Sequence, residues 1–288
     1  MKKVTGVIFG VLFIITVYLH FVKGTMALQY AAIAELGVCL TCFLPAYKHK
    51  AVSRERLSKR IIPAALAAFV AVPLTIAAGI YLFGNRKYYF ISLLIILEIM
   101  IPFFAGFEKK HPRGREIVII SVLCAMAIAG RTAFYFLPQF KPVLAIIIIA
   151  GACLGSETGF IVGAITGFVS NFFFGQGPWT PWQMFAFGII GFIAGIIFRC
   201  GLIKPNRITL SIFGAFATIV IFGGIMNPSS VLQWQAHPSA EMFISAYAVA
   251  LPFDILHAFA TAFFLWFISE PVMEKLERVK IKYGLMQK

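Results

Sequence analysis

The sequence predicts an all-α polytopic membrane bundle of about ten transmembrane helices, and three observations carry that expectation. Of 288 residues, 60% are hydrophobic and only 12% charged, where an ordinary globular domain has about 25% charged. The mean hydropathy is +0.91. Apolar runs long enough to cross a hydrocarbon layer of about 30 Å, at about 1.5 Å per helical residue, recur along the whole chain. The same composition excludes a soluble enzyme, a collagen-like fibre, a disordered tail and a disulfide-stapled secreted domain. Five cysteines, with no apparent secretory cleavage site, give no disulfide framework.

In order, the runs are Val4–Val22, Met26–Tyr47, Ile61–Gly84, Tyr88–Phe107, Ile117–Leu137, Val143–Leu154, Gly159–Phe174, Trp182–Phe198, Ile208–Met226 and Met242–Ile268. The sixth and seventh are short, with Ser156-Glu157-Thr158 read as the break between them. Cytoplasmic loops of membrane proteins collect Lys and Arg, which tests the count. With ten spans and a cytoplasmic start, the inside set is Lys2 and Lys3, the loop 48–60, the loop 109–115, Arg199–Arg207 and the tail after Glu270. That set holds 20 of the 25 Lys and Arg. Both termini are therefore expected in the cytoplasm of a cell-membrane protein. The net charge of +14 reads as topology, with no nucleic-acid partner.

The linker 108–116, Glu108-Lys-Lys-His-Pro-Arg-Gly-Arg-Glu116, divides the chain by composition. Residues 1–107 form a four-span extension of unknown role, 117–270 a six-span module and 271–288 a cytoplasmic tail. The extension is rich in Ile, Leu and Ala; the module holds most of the Gly and Phe and nearly all informative polar groups. No phosphate-binding loop, zinc-protease motif, nucleophile elbow or dinucleotide fingerprint occurs, so the chain is not expected to hydrolyse ATP or act as an enzyme. Cys39-x-x-Cys42, with His49 the nearest third ligand, lacks a fourth, so neither metal nor cofactor is expected.

Three places in the module carry chemistry. Arg131 lies inside a span, where an ionised residue costs about 3 kcal/mol on insertion scales and must face protein, water or a ligand. Asp254 is its natural partner by depth, and His257, three residues on, shares the Asp254 face. A buried structural ion pair and a ligand-shaping role are both open readings of that set. Glu35 and Glu98 are isolated intramembrane carboxyls. The stretch Ser170–Met184 breaks two helices with Gly175, Gly177, Pro178 and Pro181, and sets Asn171, Gln176 and Gln183 beside Trp179 and Trp182. Such amides and aromatics are the usual lining of a small-molecule site, although Trp also belongs to interfacial belts. The loop Asn227–Glu241, with Trp234, is expected to act as a lid over the same site.

Residues 116 to about 270 resemble the substrate-binding S component of energy-coupling factor (ECF) vitamin transporters. The resemblance rests on Ala125–Arg131, Leu137–Pro142, Gly151–Gly155, Gly159–Gly163 and, most specifically, Asn171–Met184. It lies nearest the branch proposed for cobalamin or related precursors. The resemblance implies capture of a vitamin from outside, association with a membrane coupling protein and two cytoplasmic ATPases, and release inward by toppling. It also implies that the small-residue stripe Ser121, Ala125 and Ala129 docks the coupling protein. Ligand contacts are expected from Asn171, Gln176, Trp179, Trp182, Gln183 and Trp234, with Arg131, Asp254 and His257 shaping the site. The alternatives are an autonomous ion-coupled secondary transporter using Asp254, Glu98 or Arg131 to relay a proton, and a membrane enzyme with a His257–Asp254 acid/base pair.

Overall fold

The computed structural model describes residues 114–199, 201–235 and 237–284, with residues 11, 12, 14–16, 35, 94, 96–98, 100, 101, 103, 104 and 107 ahead of them. Two compact units divide the chain, Met1–Lys50 and Ala51–Lys288. In the first unit the described residues, Glu35 among them, are helical. Most of the first four expected spans, with Cys39, Cys42 and His49, lies outside the described residues.

The second unit is all helix among the described residues: α1 Gly114–Ala133, α2 Val143–Leu154, α3 Ser156–Phe174, α4 Trp179–Ala194, α5 Arg207–Phe216, α6 Gly224–Trp234 and α7 Ala240–Tyr283. A π-helical stretch, Gly195–Arg199, continues α4, and another, Ala217–Gly223, joins α5 to α6 into one helix. Among the described residues five helical stretches are long and apolar enough to cross a bilayer: α1, α3, α4 with its π continuation, the joined α5–α6, and α7. The chain is a multi-pass membrane protein. Its sixth helix here, α2, has only 12 residues, every one of them buried, and it touches α1, α3, α4, α5 and α7. An unbroken apolar run suits that central position, since it has no lipid or water face to distinguish.

Boundaries moved where backbone chemistry outranked composition. The break between α2 and α3 falls on Gly155, at φ +104°, rather than on Ser156–Thr158, which form the first turn of α3. Only a residue without Cβ adopts that φ cheaply. Asn227–Trp234 is helical and α7 starts at Ala240, so most of the expected Asn227–Glu241 loop is helix. Pro228 sits in the second turn of α6, just after the π stretch. α5 starts on a capping box: Asn206 Oδ1 accepts from Thr209 N at 2.8 Å while Thr209 Oγ1 accepts from Asn206 N at 3.1 Å.

Lipid offers no hydrophobic force to press helices together, so close backbone approach must do it. Glycines provide it along α2, α3 and α4. A Cβ on Gly159 would stand 2.3 Å from the Gly191 carbonyl oxygen, on Gly163 2.3 Å from that of Phe187, and on Gly195 2.3 Å from Ser156 Cα. Gly159, Gly163 and Gly167 recur every four residues, one stripe of α3 laid against α4. On the other side of that pair, Ile96, Met100 and Phe103 pack with Phe160, Ala164 and Phe192. Phe103 stacks on Phe160 at 4.1 Å and 10° and meets Phe192 edge-on at 5.0 Å. Packing thus carries the six-helix core back beyond the basic linker.

The turn between α1 and α2 is plugged by Phe140, 1% exposed, whose ring meets those of Phe134, Phe263 and Phe264. At the other end of the bundle the buried Lys280 Nζ donates to Cys153 O at 3.3 Å, in the last turn of α2, and pairs with Glu277 at 3.1 Å. A cation at a helix C-terminus meets the negative end of its dipole. Arg207 pairs with Glu270 there as well, tying α5 to α7. α7, at 44 residues and about 1.5 Å each, is about twice the length a bilayer requires.

Two substitutions test this packing. Gly163→Val should lower stability by about 1–3 kcal/mol or abolish folding by overpacking, whereas Gly224→Ala, where no atom lies within 4 Å of the added Cβ, should leave the thermal unfolding midpoint in detergent unchanged. Phe103→Ala should cost about 3–5 kcal/mol by opening a core cavity, read as a lower midpoint in the full chain.

Candidate functional site

Helix α3 ends at Phe174 because Gly175 turns the chain at φ +97°, and α4 begins one short turn later behind Pro178. Trp179 folds back over that turn. Its Nε1 donates to Gly175 O at 3.3 Å, and its ring covers Gly177, where a Cβ would lie 2.5 Å from Cη2. A side chain at 177 would displace the indole.

Beneath the turn, polar side chains from α1, α3 and α4 converge. Thr180 is the joint: its Oγ1 donates to Gln176 Oε1 at 2.9 Å and accepts from Asn171 Nδ2 at 3.1 Å and Gly177 N at 3.3 Å. Gln176 Nε2 donates on to Phe168 O at 3.0 Å. Asn171 Oδ1 in turn accepts from Arg131 Nη1 at 2.9 Å, and the same nitrogen donates to Ser170 Oγ. Arg131 stands in the last turn of α1, the favourable end of the dipole for a cation. Both of its hydrogen bonds use Nη1 and both acceptors are neutral; Nε and Nη2 meet no acceptor among the described residues. Its Cζ lies 4.3 Å from the centroid of the Phe174 ring and 5.9 Å from that of Phe187.

Lys141, in the α1–α2 turn, approaches the same place from the side. Its Nζ lies 4.7 Å from the centroid of the same Phe174 ring. Burial, and then the charge of Arg131, hold its ammonium below the usual lysine range. From Phe187 an aromatic path leads inward. Phe187 stacks on Phe222 at 5.6 Å, and Phe222 meets His257 edge-on at 4.9 Å. Two deeply buried side chains of α4 and α7 keep an atom with no partner among the described residues: Gln183 Oε1 and His257 Nδ1. Gln183 is 9% exposed and His257 5%. Burying an unpaired polar atom costs about 1–3 kcal/mol, which a bound polar solute would recover.

Asp254 does not meet Arg131. Its Oδ2 accepts from Asn227 Nδ2 at 2.8 Å, across α6 and α7, and packs on Gly223. Asn171, Gln176 and Arg131 therefore gather around the α3–α4 turn, with Gln183 one turn beyond Thr180 along α4 and His257 reached through Phe187 and Phe222. Trp182 instead packs on the Ile96–Phe103 cluster, and Trp234 is 70% exposed at the end of α6. Ser121, Ala125 and Ala129 lie on the exposed side of α1, while Leu123, Cys124 and Ala127 face the bundle. Ser170, Thr180, Phe174, Phe187 and Lys141 escaped the sequence reading. Thr180 carried a usable signal, a hydroxyl three residues from a Gly-x-Gly turn; Lys141 was visible only as a loop charge.

Residues 115–269 match the ECF transporter, substrate-specific component family. The chain belongs to this family. It is a transporter component, not an enzyme, and members of the family bind small-molecule substrates in the membrane and work with an ECF module. Among curated proteins it is similar to a UPF0397 protein of Aliivibrio fischeri, 27% identical over 166 residues, covering 53% of this chain and 88% of that one. A UPF0397 protein of Aliivibrio salmonicida is 25% identical over 145 residues, covering 47% and 77%, and one of Vibrio atlanticus 24% over 124 residues, covering 41% and 68%. No solved structure matches.

The S component's polar joint is testable by a shape-conserving change. Thr180→Val should cost about 1–3 kcal/mol, because the buried Asn171 amide loses its acceptor. Thr180→Ser should retain the wild-type unfolding midpoint.

Proposed function

We propose that this S component captures a vitamin-sized, water-soluble micronutrient from outside the cell in the Arg131 cluster, and that two partner ATPases drive its import through a membrane coupling protein. The observation that carries the proposal is the buried, partly unsatisfied polar set beneath the α3–α4 turn: Arg131, Asn171, Gln183 and His257 lined by Phe174, Phe187 and Phe222. Small-molecule sites have this composition, aromatic walls with a few polar groups that fix orientation. Trp179 and Gln176 form the cover, with Trp182, Trp234 and Asp254 at the margin of the site.

The proposal includes a ten-span topology in the cell membrane with both termini cytoplasmic, which sets the direction of transport. It puts Gly175–Pro178 outside and the ion-paired end of α7 inside, in line with the distribution of Lys and Arg. In the same arrangement residues 1–107 are a membrane extension joined by the linker 108–116 to the module 117–270, with 271–288 as the tail. The exposed stripe Ser121, Ala125 and Ala129 is the docking line for the coupling protein, since small residues let a second helix approach closely in lipid. The likeness of Asn171–Met184 to the cobalamin branch makes cobalamin and its precursors the first substrates to test.

Native mass spectrometry of the protein from its own cells should show a small molecule together with the coupling protein and ATPases. Reconstituted uptake should require ATP. Uptake in ATP-free vesicles that a protonophore abolishes would replace this reading with an ion-coupled secondary transporter. Ala125→Trp should lose the coupling protein and reduce uptake at least tenfold while the small molecule stays bound; Asn171→Ala with Trp179→Ala should do the reverse.

A further inference from the structure

Two cations converge at the turn end of the bundle, and among the described residues neither has an ion pair with a carboxylate. Arg131 Cζ and Lys141 Nζ lie 4.3 Å and 4.7 Å from the centroid of one ring, Phe174, so they are separated by no more than the two distances together. Arg131 is only 8% exposed and gives its hydrogen bonds to the neutral oxygens of Ser170 and Asn171. Asp254, the carboxylate expected from its depth to pair with Arg131, is engaged by Asn227. Cations at the opposite end are treated differently: Arg207, Arg278 and Lys280 each hold a glutamate.

An unneutralised buried charge costs several kcal/mol, and two of like sign raise that cost. The ring face offsets a part of it, about 0.5–2 kcal/mol per cation. A solute carrying the missing charge would offset the rest, and Nε and Nη2 of Arg131 present the planar donor fork that matches a carboxylate or a phosphate. Gln183 Oε1, a buried acceptor without a donor, asks for an N–H or O–H on the remainder of the same solute.

We propose that the substrate of this S component is an anion, a small acid whose carboxylate or phosphate group is held between Arg131 and Lys141 and whose neutral part donates a hydrogen bond to Gln183. The proposal rests on the capture reading above and narrows its substrate class. It makes Lys141, a residue of the α1–α2 turn, a specificity determinant that distinguishes an acid from its neutral amide or ester.

The test uses the full-length protein in detergent and acetate and inorganic phosphate as group probes, each against chloride at matched ionic strength. Matched solutes follow: nicotinate against nicotinamide, pantothenate against its alcohol, and pyridoxal phosphate against pyridoxal. The thermal midpoint should rise with acetate or phosphate in the wild type and in Lys141→Arg, and fail to rise in Lys141→Gln. Any acid of the series that binds should lose about tenfold or more in affinity in Lys141→Gln, as expected for one hydrogen bond between charged groups, with its neutral partner unaffected. Equal binding of acid and neutral partner, or a midpoint indifferent to the anions, overturns the proposal. Native mass spectrometry separates the two claims. A neutral or cationic small molecule bound to the wild-type protein overturns the anion and leaves the capture reading standing. A response to anions with no small molecule ever found supports the cation site and counts against capture.

Discussion

Everything in the six-helix core depends on how closely α3 and α4 approach. Their contact is backbone against backbone, with Gly159, Gly163 and Gly195 admitting carbonyls and Cα atoms where any Cβ would collide. That distance decides where the C-terminal end of α3 meets the N-terminal end of α4. Ser170 and Asn171 on one helix and Thr180 and Gln183 on the other then fall within one small volume, joined by a connection too short to move independently. A wider pair, spaced by leucines, would leave Asn171 and Thr180 beyond the 3.1 Å at which they bond. The glycines also explain why a chain with few intramembrane polar groups spends them here: packing in lipid comes from van der Waals fit and a few hydrogen bonds, and the polar bonds lie at the top of the glycine stripe.

Electrostatics divide the bundle by end. Where α5 begins and α7 runs out, Arg207, Arg278 and Lys280 have glutamates, and Lys280 also closes the last turn of α2 through Cys153 O. Where α1 ends, Arg131 has only neutral oxygens and an aromatic face. The first arrangement is complete without any other molecule. The second has spare donors at Arg131 and spare atoms at Gln183 and His257, so binding there gains from groups already desolvated and already oriented. Such preorganisation reduces the ordering cost of binding, which otherwise consumes much of the contact energy.

Much of this was legible in the sequence. Apolar runs and punctuation located the six helices from residue 114 onward, with α2 found residue for residue, because hydropathy and turn chemistry act locally. Arg131 and Asn171 stood out for the same reason, as polar groups where lipid permits few. What stayed hidden depended on which faces meet. Depth along a helix made Asp254 a plausible partner for Arg131, but depth says nothing of rotation about the axis, and rotation turns Asp254 toward Asn227. The same loss of angular information sends Trp182, one residue from Gln183, to the opposite side of α4 from the polar cluster. Asn227–Trp234 read as a loop because Asn, Pro and two Ser crowd together, and the π stretch before it, which sets the helix running on, has no sequence signature of comparable strength.

The helical residues Ile96, Met100 and Phe103 shift the meaning of the basic linker. Charge and Pro between two apolar blocks divide the chain by composition, yet Phe103 stacks on Phe160 and touches Phe192, on the glycine-bearing pair itself. Phe160 is also the ring that a Cβ at Gly188 would strike, at 2.8 Å. One aromatic side chain of α3 therefore fills the space that a glycine of α4 leaves and offers its other face to Phe103. Any change in the α3–α4 spacing passes through Phe160 to the segment before the linker. That segment and the polar cluster thus rest on one helix pair, on opposite sides of α4, so both depend on the spacing that the glycines set.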